Sequence, residues 1–187
     1  HHLGDGAGAD GTDIGHLVRE AVHHRLDAVE GGFIAADAML RYPDFFKVGI
    51  AESGNQDQRN YEDDWGERYH GLLVKTGTTD NYDAEANQVL AKNLKGKLLL
   101  AHGTLDDNVP PDNTYLVVDA LIKAGKDFDL LMIPNAAHGY GPASNYMMRR
   151  RWDYFVQHLL GDRRDADRRQ FRRVGQNARR LGRLERR

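Results

Sequence analysis

The chain has 187 residues, 40% of them hydrophobic, enough for one domain with a real core and too few for two large ones. It has no Cys, which excludes disulfides, thiolate metal sites and a cysteine nucleophile, and no apolar run approaches the ~20 residues of a membrane-spanning helix. The net charge of −2 is unevenly spread: Asp162 to Arg187 holds eleven Arg against four acids, so the tail is basic and everything before it acidic. In chain order, "HHLGDGAGADGTD" has no periodicity, whereas "HLVREAVHHRLDAV" places Val18, Val22, Leu26 and Val29 at helical spacing. Gly31 to Arg41 reads as a helix stopped near Tyr42, because the residue before Pro43 disfavours helix. A strand is expected near Phe46–Ala51, then an aromatic-rich loop with a helical turn in "YEDDWGERYHGLL", then a helix in "DAEANQVLAKNL". The strand "KLLLAHG" comes next, then a helix in "PDNTYLVVDALIKAG" with Pro near its start and Gly at its end, and a strand near Phe128–Ile133. A last helix in "SNYMMRRRWDYFVQHLL" ends before Gly161.

Three zones result: a divergent segment over residues 1–30, an ordered body over 31–161, and an Arg-rich tail over 162–187. Strands alternating with helices in the body point to an α/β fold with a mostly parallel sheet flanked by helices. In such sheets, working residues lie just past the C-terminal ends of strands. "TLDDNVPP" lies past one strand and brings Asp106; "NAAHGYG" lies past another and brings His138. A carboxylate that orients a His, and a His that accepts a proton from a hydroxyl, is the logic of a hydrolytic triad. In α/β-hydrolases the chain order is Ser, Asp, His, and Asp106 and His138 obey its last two steps. Singly, an Asp after a strand is more often a turn former and a loop His more often solvated; the order of the two together makes the pair a candidate site.

The blocks "GGFIAADAMLRYPDFFKVGIAESGNQDQRNYEDDWGERYHGLL", "AKNLKGKLLLAHGTLDDNVPP" and "NAAHGYG…RRRWDYFVQHLLG" resemble the catalytic domain of the prolyl oligopeptidase family of serine peptidases, in particular its dipeptidyl peptidase IV-like branch. The resemblance runs from about Gly31 to Gly161 and implies the C-terminal half of an α/β-hydrolase domain. It implies Asp106 as the triad acid and His138 as the triad base, Tyr61 and Trp65 as aromatic walls of a proline-accepting pocket, and Asn108 and Val109 as further substrate contacts. It also implies hydrolysis of peptide bonds after proline, a peptide substrate, no cofactor, and a homodimer as an assembly of the family. Members carry a β-propeller ahead of this domain; the chain does not begin with Met, so an N-terminally incomplete fragment is expected.

The departure lies just upstream. The family pattern Gly-x-Ser-x-Gly-Gly-Phe, aligned on Gly31, Gly32 and Phe33, sets the nucleophile position on Val29, with Asp27 in place of the first Gly. The elbow demands a strained backbone between small residues, which a β-branched Val does not suit. The nucleophile is therefore expected to be absent and the chain inactive, either as a true pseudoenzyme or as a frameshifted gene product, since Arg-, Ala- and Gly-rich ends are what a shifted frame in GC-rich DNA yields. Ser53 and Ser144 are weaker candidates for a substitute nucleophile, because neither opens the helix after the elbow strand.

The Arg-rich tail raises a third reading, a basic-tailed binding module, but one aromatic, Phe171, gives no stacking platform and no nucleic-acid partner is expected. Part of it, Arg168 to Leu184, has the composition of a helix. His1, His2, His16, His23 and His24 lack metal-ligand spacing, so no metal site is expected.

Overall fold

A computed structural model of the chain describes residues 28–160. The helical reading of residues 16–29 lies almost wholly outside these residues, as do the helix expected over 168–184 and the five histidines near the start. Three parallel strands, β1 (Val48–Glu52), β4 (Lys97–Gly103) and β5 (Asp129–Ile133), form one sheet in the order β1-β4-β5. Ile50 pairs with Leu99 across the first ladder, and Ala101 with Leu131 across the second. The central strand reads as an unbroken apolar run because both of its faces are covered. Leu98 and Leu100 face one core with Ala36, Met39, Leu40, Val117 and Leu121; Leu99 and Ala101 face a second with Ile133, Met147 and Tyr154.

Helix α1 (Ala28–Arg41) buries Ala36, Met39 and Leu40, spaced i, i+3, i+4, against the first of these cores. It starts three residues before the expected Gly31, so the backbone of Val29 lies in its first turn. Tyr42 N–H makes its closing bond to Ala38 O, one residue before Pro43. Helix α3 (Asp112–Lys123) covers the same face and ends where Gly125 takes φ +63°: Lys126 N–H reaches Leu121 O and Gly125 N–H reaches Ile122 O, the double bond of a Schellman cap. Helix α4 (Ser144–Leu159) covers the other face; Tyr154 hydroxyl donates to Asp129 Oδ2 at 3.0 Å and Arg151 forms a bidentate pair with Glu52, pinning it to both sheet edges.

Between β1 and β4 two expectations are corrected. "DAEANQVLAKNL" is not an α-helix but two 3₁₀ segments, Asp83–Glu85 and Asn87–Asn93. Ala86 between them is extended (φ −83°, ψ 117°), and Asn87 N–H bonds Gln56 O rather than a residue of its own segment. The fully buried Asn87 side chain donates to Phe33 O and Gln56 Oε1, so tertiary hydrogen bonds override helix propensity there. The loop "YEDDWGERYHGLL" holds two full helical turns, α2 (Asp63–His70), rather than one. After it, β2 (Lys75–Thr76) and β3 (Thr79–Asp80) form a short antiparallel hairpin that the hydrophobic pattern does not announce. Among the described residues no helix is long and apolar enough to cross a membrane.

Candidate active site

The turns after β4 and β5 meet at the C-terminal edge of the sheet. Gly103 makes the meeting possible: a β-carbon there would lie 2.3 Å from Ala136 O and 2.8 Å from Ala137 O, so only glycine lets the β5 turn pack on the end of β4. Leu105 N–H then bonds Ala136 O at 2.9 Å, and Asn135 N–H bonds Thr104 Oγ1 at 2.9 Å.

Asp106 emerges from the β4 turn with its carboxylate wholly buried. Oδ1 accepts the N–H groups of Asn108 (3.1 Å) and Val109 (3.0 Å); Oδ2 accepts from His138 Nδ1 at 2.8 Å. A carboxylate offers only acceptors, so His138 donates from Nδ1 and leaves Nε2 free to take a proton. The His138 side chain is 22% exposed, which gives that nitrogen access to the cleft. The arrangement can thus activate a hydroxyl presented to Nε2, with Asp106 holding the ring and supporting the imidazolium that forms.

A second histidine, His102, lies beneath the pair, and the motif pattern does not single it out. It is fully buried in β4, with Nε2 2.9 Å from Val109 O and 3.3 Å from Asp106 Oδ2, and Nδ1 2.7 Å from Thr114 Oγ1. A carbonyl only accepts, so Nε2 carries the proton and Nδ1 accepts from the Thr114 hydroxyl. Burial pushes its pKa down, keeping the ring neutral. A neutral donor under Asp106 supports the carboxylate without competing with His138 for charge. Its one signal in the sequence is a polar residue at the end of the otherwise aliphatic "LLLAHG".

The remaining expected residues fall around this pair. Tyr61 hydroxyl donates to Asn108 Oδ1 at 3.1 Å, bridging the aromatic segment to the β4 turn. Trp65 on α2 stands edge-on to Tyr61 with ring centroids 6.5 Å apart, and Tyr69 continues the row at 4.9 Å from Trp65. Val109 is completely buried; its backbone, through N–H to Asp106 and C=O to His102, is what it contributes to the geometry. Ser144 is tied up locally, its hydroxyl donating to Gly139 O and Gly141 O at the start of α4.

Ser53 differs from Ser144. It follows β1 directly with φ +46°, an unusual conformation for a residue with a side chain, and lines a cavity of about 300 Å³ shared with Gly31, Gly32, Ile50, His138 and Tyr140. Its Oγ is buried, with no hydrogen-bond partner among the described residues. The backbone around it is closely packed: a β-carbon on Gly32 would lie 2.1 Å from Glu52 O and 2.7 Å from Gly54 N, so α1 crosses the end of β1 at Gly32. Among the described residues no group of three or more His, Asp or Glu could hold a metal ion.

A three-stranded parallel segment with helices on both faces, carrying an Asp–His pair at its C-terminal edge, defines part of a hydrolase of the α/β type. Residues 30–162 match the prolyl oligopeptidase family, a family of serine peptidases, and the chain belongs to it. Dipeptidyl peptidase family member 1 of Caenorhabditis elegans is 28% identical over 79% of this chain and 19% of its own length. Dipeptidyl peptidase 4 of Felis catus is 32% identical over 63% of this chain and 16% of that protein. The crystal structure of Porphyromonas gingivalis dipeptidyl peptidase 4 superposes with a TM-score of 0.58 at 30% identity, over 64% of this chain and 17% of that one. The chain therefore spans less than a fifth of the length of the relatives it matches. The fold is that of the α/β-hydrolase domain of dipeptidyl peptidase IV-type proteins, represented in part.

Proposed function

We propose that residues 31–161 are the C-terminal part of a serine-peptidase catalytic domain that acts after proline, and that this chain does not itself cleave peptide bonds. The observation that carries the reading is the 2.8 Å bond between Asp106 Oδ2 and His138 Nδ1 at the sheet edge, with Tyr61 bonded to Asn108 beside it. Asp106 and His138 supply the acid and base of the triad. Tyr61 and Trp65 wall a pocket for the flat proline ring, an aromatic surface suited to a residue with no N–H to satisfy. Asn108 presents a polar group to the substrate backbone, and Val109 backs the pocket.

The missing member is the hydroxyl. The position it would occupy falls on Val29, whose backbone lies in the first turn of α1. Where the Ser of such a triad is removed, turnover falls by about 10⁶-fold. The residual catalysis of such a site depends on oxyanion donors, one of which comes from the elbow itself. A damaged or diverged gene product of this family accounts for the same residues and leads to the same outcome.

Exposure of the full chain to a fluorophosphonate probe tests this: no labelling is expected, and none after Val29→Ser, because that substitution supplies a hydroxyl on a helical backbone. Cleavage of a glycyl-prolyl reporter is expected to match buffer. Labelling abolished by Ser53→Ala or Ser144→Ala would overturn the inactive reading and identify a substitute nucleophile beside His138.

A further inference from the structure

Tyr61 and Trp65 sit on a long excursion over residues 58–80, between the buried stretch that follows β1 and the end of β3. Little of it is held by burial. Tyr69, Leu72, Leu73 and Val74 are exposed, and Gly66 is the sole buried residue of α2. Few buried apolar contacts mean that something else must fix the segment. Its two ends meet at Arg59. The guanidinium reaches Asp57 through Nε (2.9 Å) and Nη2 (2.8 Å), Asp80 through Nη1 (3.1 Å) and Asp83 through Nη1 (2.5 Å). Asp57 precedes the excursion; Asp80 and Asp83 stand at its far end.

We propose that Arg59 is a positioning residue, whose bridge from Asp57 to Asp80 and Asp83 closes the neck of this excursion and holds the Tyr61–Trp65 wall beside Asp106 and His138. This role rests on the reading of Tyr61 and Trp65 as a proline pocket. Three carboxylates around one cation make the neck dependent on that cation, since without it they repel. The planar fork serves several partners at once, which a lysine ammonium does less well. The near end of the excursion is braced from below: the fully buried Asn113, in the first turn of α3, accepts from Asp57 N–H at 3.3 Å and donates to Asn60 O at 3.0 Å. The far end is held by the buried Tyr82, whose hydroxyl donates to Gly71 O at 2.6 Å, by the Asn81 side chain, which donates to Leu72 O at 3.1 Å, and by Arg59. Each end thus has its own local hold, and among the described residues Arg59 is the guanidinium that joins one end to the other.

The chain has two tryptophans, so Trp152→Phe leaves Trp65 as the sole reporter in the full-length protein. In that background Arg59→Gln is expected to raise acrylamide quenching of Trp65 about two-fold with far-UV circular dichroism unchanged, and Arg59→Lys to restore part of the protection. If Arg59→Gln does not fold, Asp80→Asn with Asp83→Asn keeps the Arg59–Asp57 pair, opens the same neck, and must give the same rise. Unchanged quenching in a folded variant overturns the proposal. Titration with glycyl-proline, monitored by Trp65 emission, supplies the second arm: affinity is expected to fall about five-fold in Arg59→Gln. Raised quenching with unchanged affinity would overturn the positioning role. No response in the Trp152→Phe parent would sink the pocket reading, while the quenching arm still decides whether Arg59 holds the wall.

Discussion

Asp106→Asn removes one charge and little volume, and the donors packed around the carboxylate set its cost. The asparagine carbonyl can still accept the Asn108 and Val109 N–H groups, now as a neutral acceptor and roughly half as strongly. Its NH₂ group then takes the place of Oδ2 and points at two donors, His138 Nδ1–H at 2.8 Å and His102 Nε2–H at 3.3 Å. His138 can escape by moving its proton to Nε2. His102 cannot, because its Nε2–H is committed to Val109 O and its Nδ1 to Thr114. The change therefore costs a charge-assisted bond, worth about 1.5–3 kcal/mol, and adds a buried donor facing a donor. A total near 2–4 kcal/mol corresponds to a fall in Tm of about 5–15 °C for a domain of this size. Calorimetry reads the stability, and ¹⁵N chemical shifts of the His138 ring read the tautomer, expected to switch from Nδ1–H to Nε2–H. A Tm within about 1 °C of the parent with the Nδ1–H tautomer retained would refute the assignment of Oδ2 as the acceptor that sets the ring.

Gly103→Ala drives a β-carbon into Ala136 O and Ala137 O, so the β5 turn must lift from β4. Loss of the His138–Asp106 bond in the ring ¹⁵N spectrum, together with a destabilisation of about 1–3 kcal/mol, is expected. Acid should open the neck around Arg59 before the sheet melts. Burial pushes the Asp57 carboxyl up, but bonds from Arg59 and Gln88 outweigh it and leave it below the usual carboxylate value. The Asp80 N–H and then Arg59 lower Asp83 as well. Both groups therefore contribute stability that is present above their unfolded value near pH 4 and is lost as pH falls through the lower folded values. Trp65 quenching should rise in that acid window and fall back on return to pH 7, and a flat profile down to pH 2 would count against ionic closure.

The sequence by itself determined the elements whose signal is local. Strands and helices of the α/β body are written in runs such as "KLLLAHG", which can be buried on both faces, and in the 3.6-residue spacing of Ala36, Met39 and Leu40. The order of Asp106 and His138 after successive strands, and the family to which the blocks belong, were legible for the same reason: a strand end in a parallel sheet has a fixed place at one edge. Tertiary structure decided whatever depends on contacts far apart in the chain. Residues 83–94 have helix-like composition, yet Asn87 bonds to Gln56 and Phe33 and the segment becomes 3₁₀. The hairpin at Lys75–Asp80 is too short to bury a pattern, so no periodicity marks it. His102 looks like one polar residue in a strand until Thr114 and Val109, brought round by the turn and α3, fix its tautomer under Asp106. Arg59 looks like one of many surface charges until the excursion closes and sets Asp80 and Asp83 against it. Hydrogen bonds and ion pairs of this kind have no period in the sequence, because the partner's position is set by the path of the chain between them.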